Sequence, residues 1–224
     1  MADQLGEYFN TIFLPYFSAY RKGYSCYTTL IRCIEDWKLA LDKRMCTGMV
    51  LMDLSRAFES MPHDLLVVKL LQYGISPGVA ELISNYLTNR KQRVKIGNAC
   101  SSWLELTRGV PQGSILGPLL FNIFLNDISY SIKCNLYNYA DDNTISHYDP
   151  AAEGVISQLE SQCHIAIDWF VNNCMTANPH KFQGLFSNVA TEYIQVGENN
   201  IANSDNVRLL EIRIERELDR KSTR

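Results

Sequence analysis

Apolar residues recur at helical spacing between positions 26 and 44. Leu30, Ile31, Ile34, Trp37 and Leu41 fall on one side of a 3.6-residue turn, and Ser25 supplies a capping oxygen at the start. Positions 49–52 form a short unbroken apolar run that stops at Asp53, the pattern of a strand buried on both faces. Pro62 opens a helix that Gly74 closes, and Ser76-Pro77 starts another that runs to about Asn89. Residues 91–107 alternate: Arg93 and Lys95 against Val94 and Ile96, then Trp103, Leu104 and Leu106, with Gly97-Asn98 at the reversal. That pattern predicts a β-hairpin. Residues 114–130 read as an apolar helix, and 151–175 as a long amphipathic one. Between them, 136–140 and 143–148 read as strands joined by a tight turn at Asp141-Asp142. The last 17 residues are dense in charge and offer little to pack. Strands separated by paired helices, with an antiparallel hairpin in the middle, predict an α+β fold. Its sheet would be a split βαβ arrangement covered by helices on one face.

Composition narrows the class. The chain has 224 residues, 46% hydrophobic and 20% charged, with a net charge of −3, so it can build a core and is not a disordered segment. Its acidic balance argues mildly against a surface that grips nucleic acid everywhere, though not against a local basic patch. Residues 1–20 carry Asp3 and Glu7 and lack the pattern of a secretory signal. The longest uncharged run, 109–126, is broken by Pro111, Gln112, Pro118 and Asn122 and reads as a core helix, so no membrane partner is expected. Seven scattered cysteines without a C-x-x-C pair read as reduced intracellular thiols; between nucleus and cytoplasm the sequence gives no signal.

The candidate chemistry lies in three carboxylates. Asp53 ends an apolar strand, where it reads either as a turn cap or as a functional acid. Asp141-Asp142 reads either as a polar hairpin turn or as a metal site, since a divalent ion removes the repulsion of adjacent acids. If both ends meet at one sheet edge, three carboxylates converge there. Oxygen ligands of this kind suit Mg²⁺, and two ions about 3.5–4 Å apart support nucleotidyl transfer. His63, His147, His164 and His180 are isolated and read as structural or solvated. Arg90, Lys91, Arg93 and Lys95 form a local basic patch, with no acid between Glu81 and Glu105. It reads either as a solvated edge strand or as a nucleic-acid contact.

Three blocks in order resemble the reverse transcriptase domain of non-LTR (LINE-like) retrotransposons. They are Val50-Leu-Met-Asp53-Leu-Ser-Arg-Ala-Phe58, Arg108-Gly-Val-Pro-Gln-Gly-Ser114 with Leu116-Gly-Pro-Leu-Leu-Phe121, and Tyr139-Ala-Asp-Asp142. The stretch Ala19-Tyr-Arg-Lys-Gly-Tyr-Ser25 resembles the segment before the first catalytic motif, and the likeness covers about residues 14–188. It implies a right-hand polymerase palm with an antiparallel sheet, partial fingers and no complete thumb. Three segments follow from it: a helical finger or palm-side segment at 1–46, a palm core at 47–188 and a divergent charged tail at 189–224. The implied activity is RNA-directed DNA polymerisation, with dNTPs added to a DNA primer on an RNA template. Asp53, Asp141 and Asp142 would hold two Mg²⁺ ions, with Mn²⁺ a possible substitute. Phe58 would be the aromatic gate against a 2′-hydroxyl, and Gln112 and Gly113 would touch the incoming nucleotide and template. Asn178-Pro179-His180-Lys181 resembles the next motif, which makes Lys181 the proton donor to departing pyrophosphate.

The pattern also departs from the family. Finger strands that grip the triphosphate would lie upstream of residue 1, and no endonuclease segment is present. Glu59 stands where Asp is more usual, and His180 where Asp or Asn is. Relatives read Leu-Leu-Gly where this chain reads Leu209-Leu210-Glu211, and the likeness ends there. In the charged run that follows, Glu217 and Lys221 could pair across a helical turn, although sequence foreign to the family is the favoured reading. Two other functions stay open at this level. One is an inactive retroelement remnant that at most binds nucleic acid. The other is an RNA-templated RNA polymerase, against which Phe58 speaks.

Overall fold

The computed structural model describes residues 1–216. In chain order the elements begin with helices α1 (Ala2–Asn10) and α2 (Cys26–Asp42), then strands β1 (Cys46–Met52) and β2 (Leu54–Ser55). Helices α3 (Ala57–Ser60), α4 (His63–Gln72) and α5 (Pro77–Leu87) lead to a ribbon of four short strands. These are β3 (Arg90–Gln92), β4 (Lys95–Ile96), β5 (Ala99–Cys100) and β6 (Leu104–Leu106). Then come α6 (Leu116–Leu125), α7 (Ile128–Ser131), β7 (Asn135–Tyr139), β8 (Asp142–Asp149), α8 (Ala152–Asn172) and β9 (Thr176–Ala177). A 3₁₀ turn (Pro179–Lys181) precedes β10 (Gln183–Ser187), β11 (Tyr193–Val196), β12 (Asn199–Ala202), β13 (Asn206–Leu209) and β14 (Ile212–Glu215).

The central sheet has the order β10-β1-β8-β7, and every neighbouring pair is antiparallel. Alternation along β1 explains its continuous apolar run. Val50 and Met52 face a core built with Val155, Leu159, Cys163 and Phe170 of α8 and most of α6. Met49 and Leu51 face a second core with Leu30, Cys33 and Trp37 of α2 and with Val207, Leu209 and Ile214. Each such side chain contributes about 1.5–3 kcal/mol by leaving water. Helices therefore cover both faces, not the one face expected from the sequence. The hydroxyl of Tyr137 on β7 donates to Asp36 Oδ2 of α2 at 2.6 Å and ties the second layer down. Helix α8 approaches β1 closely at Gly48, where a Cβ would lie 2.6 Å from Leu159 Cδ1.

Several sequence expectations shift. Helix α1 was not read from the apolar spacing; it is held by Leu5 and Phe9, one helical turn apart. The expected 114–130 helix is two helices, α6 and α7. The 91–107 hairpin is present as two stacked ladders, β3 with β6 and β4 with β5. The end of the chain was expected to offer little to pack, yet Leu209 and Ile214 are buried. A strand needs only every second residue to face a core, so Arg208 and Arg213 point outward while their neighbours pack. The suggested Glu217–Lys221 pair lies outside the described residues. Residues from all three expected segments share cores: Leu5 and Phe9 from the first and Ile194, Val196 and Ile201 from the third join Val50.

Candidate active site

Strand β1 ends at Met52, which pairs with Asn143 of β8. Asp53 therefore leaves β1 beside Asp142, the first residue of β8. The reversal between β7 and β8 is made by Ala140 and Asp141, because Tyr139 pairs with Asp142. The expected turn at Asp141-Asp142 is thus displaced by one residue. Ala140 takes a left-handed φ of 56°. Two buried amides hold it there: Asn138 Nδ2 donates to Ala140 O and to Asn143 Oδ1, and Asn143 Nδ2 donates to Asp141 O, each at 2.9 Å. Neither Asn138 nor Asn143 was singled out from the sequence, although they flank the acid pair.

Burial first, then the charges of Asp141 and Asp53, holds the Asp142 carboxyl above its ordinary range. Asp53 Oδ2 is buried without a hydrogen-bond partner. Lys181 Nζ stands 3.5 Å from that oxygen, an ion-pair distance without hydrogen-bond geometry. The 3₁₀ turn is delivered by the pairing of β2 with β9 and by Asn178 N donating to Asp53 O at 2.9 Å. Asp53, Asp142, Asn143, Lys181, Gln183 and Arg208 line one cleft of about 300 Å³. Arg208 comes from the segment expected not to pack and was missed. Among the described residues, no three His, Cys, Asp or Glu side chains form a group ready to hold a metal. Two observations still suit a cation: a buried carboxylate oxygen on Asp53 without a hydrogen-bond partner, and a neighbouring carboxyl that burial, and then like charges, drive toward its protonated form. The carboxylate donor set is of the kind Mg²⁺ takes.

Phe58 lies on α3 and stacks on the fully buried Phe121 of α6, with ring centroids 4.2 Å apart and planes at 27°. Tyr20 meets the Phe58 ring edge-on at 6.3 Å. Burial, then the Asp141 charge, then Tyr139, raises the Tyr20 hydroxyl. Tyr20 therefore joins the aromatic stack to the acid turn. Gly109 and Val110 clip the next loop to α3: Gly109 N donates to Met61 O at 2.8 Å and Val110 N to Phe58 O at 3.0 Å. His63 Nε2 lies 2.6 Å from Gly109 O, a structural role as expected. Gln112 Nε2 donates to Glu59 Oε1 at 3.3 Å, and Gly113 has a positive φ of 77° with open space around it. Gln112 joins Arg56, Glu59, His63, Arg90, Gln92 and Arg108 around a second cleft of about 640 Å³. Lys91, Arg93 and Lys95 line neither cleft; they stand exposed on the ribbon. All seven cysteines are free, and no helix among the described residues is long and apolar enough to cross a membrane.

Comparisons with known proteins bear on the family and the fold. A family model described as Reverse transcriptase (RNA-dependent DNA polymerase) matches residues 1–213, past the point where the likeness was expected to end. Among curated proteins, "Probable RNA-directed DNA polymerase from transposon BS" of Drosophila melanogaster is 27% identical over 170 residues, covering 72% of this chain and 19% of that protein. The RNA-directed DNA polymerase from mobile element jockey of Drosophila funebris is 36% identical over 89 residues, 40% of this chain and 10% of that one. The chain thus spans a fifth or less of these relatives. Among solved structures, the apo telomerase of Candida tropicalis superposes with a TM-score of 0.62 at 10% identity, over 96% of this chain and 38% of that one. Candida albicans telomerase gives 0.60 at 13% identity over 91% and 36%. At such identity they speak for the fold alone, a reverse transcriptase fold of mixed helix and sheet. With its three motif blocks on one scaffold and a family match over nearly its whole length, the chain belongs to the reverse transcriptase (RNA-dependent DNA polymerase) family, beside the enzymes of non-LTR retrotransposons.

Proposed function

We propose that this chain carries the nucleotidyl-transfer centre of a non-LTR retroelement reverse transcriptase, which joins dNTPs to a primer 3′-hydroxyl on an RNA template. The sheet β10-β1-β8-β7 with its helices corresponds to the palm, and the exposed ribbon β3–β6 to part of the fingers. The observation that carries the reading is the pair of adjoining strand ends that set Asp53 beside Asp142, with the Asp142 carboxyl raised by burial and then by its acidic neighbours. Asp53 and Asp142, with Asp141 from the turn, would hold Mg²⁺. When bound, such ions activate the attacking hydroxyl and stabilise the leaving oxygen. Lys181, already drawn to Asp53, donates a proton as charge grows on the departing phosphate. The Phe58 ring, fixed between Phe121 and Tyr20, leaves no room for a 2′-hydroxyl. Gln112 and Gly113 contact the nucleotide and template, and Arg90, Lys91, Arg93 and Lys95 contact phosphate.

Primer extension by the purified chain on an RNA template, with Mg²⁺ or Mn²⁺, tests this. Incorporation of dNTPs that Asp142→Asn abolishes is the expected result. Template binding without incorporation under either metal would overturn it in favour of an inactive remnant, and a preference for ribonucleotides would favour an RNA polymerase.

A further inference from the structure

Residues 89–105 are exposed without a break, yet they hold two regular ladders. A two-stranded ribbon standing alone is marginal in water. This one also shows solvent Val94, Ile96, Trp103 and Leu104. Single exposed apolar residues are ordinary; four on one ribbon mark a surface built to be covered. In the gap between the ladders, the guanidinium of Arg93 lies 4.6 Å from the centre of the Trp103 ring. Trp103 is still 58% exposed.

Charge identifies the occupant. Arg90, Lys91, Arg93 and Lys95 sit along one edge, and Glu105 is the one acid on the ribbon. A polyanion suits the cations. A guanidinium laid on an exposed indole suits flat bases, which single strands offer and duplexes keep stacked on one another. An acidic protein would answer the charges and leave the ring unused. The base of the ribbon, Arg90, Gln92 and Leu106, lines the cleft that reaches Arg108 and Gln112, so a strand seated on Trp103 has a route toward the site.

We propose that Trp103, backed by Arg93, is a base-stacking platform for single-stranded nucleic acid entering that cleft. The proposal rests on the polymerase reading above and adds a strand-binding residue to it. Fluorescence anisotropy of a labelled 15-nucleotide oligo(U) RNA with the full chain tests it, across salt from 50 to 200 mM. Trp103→Ala should weaken binding by about tenfold, and Trp103→Phe by no more than about threefold. The salt dependence should be unchanged in Trp103→Ala but shallower by about one charge in Lys91→Gln. A blunt RNA duplex should bind Trp103→Ala and wild type alike. The platform is overturned if wild type fails to bind the single strand, if Trp103→Ala binds it like wild type, or if duplex binding falls equally. Both ring variants should keep the wild-type circular dichroism, because Trp103 lies on the exposed ribbon and outside both cores. Ring-dependent binding without primer extension would sink the polymerase reading alone; extension with ring-independent binding would sink the platform alone.

Discussion

Gly109→Ala separates backbone strain from a backbone clash at the point where two motifs meet. Gly109 has a φ of +80°, where an L side chain costs about 1–2 kcal/mol. Its new Cβ would also fall 2.7 Å from Glu59 Cα and 2.8 Å from Glu59 O and Phe58 O. Ordinary contact begins near 3.4 Å, so α3 or the loop must retreat by roughly half an ångström or more. Neither moves freely: Gly109 N and Val110 N are bonded to Met61 O and Phe58 O, and His63 holds the Gly109 carbonyl. Overpacking of this kind costs about 1–3 kcal/mol. The sum is about 2–5 kcal/mol, a large part of the 5–15 kcal/mol that holds a domain together. Gly113→Ala is the matched control, with a φ of +77° and nothing within 4 Å, so it carries the strain alone. Urea unfolding of both variants should show a lower midpoint at unchanged slope. Gly109→Ala should fall further than Gly113→Ala by about 1–3 kcal/mol. Equal losses, or a Gly109→Ala loss under about 0.5 kcal/mol, the ordinary scatter of surface changes, would refute the clash.

Three further outcomes follow from the site and its supports. The folded Asp142 carboxyl binds its proton more tightly than the unfolded one, whose ordinary value is 3.8, so ionisation lowers stability above the folded value and the penalty fades as pH falls toward 3.8. Asp142→Asn should melt above wild type at pH 7, with the gap closing near pH 4; a gap independent of pH would count against the arrangement. Phe58→Val should raise ribonucleotide incorporation about tenfold or more, the effect of roughly 1.4 kcal/mol; unchanged selectivity in single-nucleotide extension would remove Phe58 as the gate. Lys69 is 5% exposed and donates to Phe124 O at 2.9 Å and Asp127 Oδ1 at 2.7 Å, between the rings of Phe124 and Trp169. Lys69→Met should cost about 1–3 kcal/mol in urea unfolding by orphaning that carbonyl, and a neutral result would show the ammonium to be replaceable.

The parts legible in the sequence are those whose signal is local. Strand β1 announced itself because both its faces are buried, and the ribbon through its alternation and the Gly97-Asn98 turn. The turn before β8 was misplaced by one residue because a left-handed Ala140 is no one's preferred turn former; buried Asn138 and Asn143 impose it. The strands β13 and β14 were hidden by charges that fill only their outer face. Tyr20 and Phe121 escaped notice as supports of Phe58 because their meeting is a tertiary event between distant segments. Asp53, Asp141, Asp142 and Phe58 stood out as motif residues, whereas the amides and rings that hold them carry no pattern of their own.

The strand order has a consequence for synthesis. β1 is flanked by β8 and β10, so Thr47 waits for both Tyr148 and Ser187 before its ladders can close. At 5–20 residues per second, the last partner follows β1 by on the order of ten seconds. Until β8 has been made both edges of β1 are open and Asp53 has no Asp142 beside it; from then until residue 187 one edge stays open. A nascent chain halted before residue 142 therefore presents a sticky strand and a lone Asp53, so a chaperone that shields residues 46–52 guards the later meeting of Asp53 with Asp142 as well as solubility.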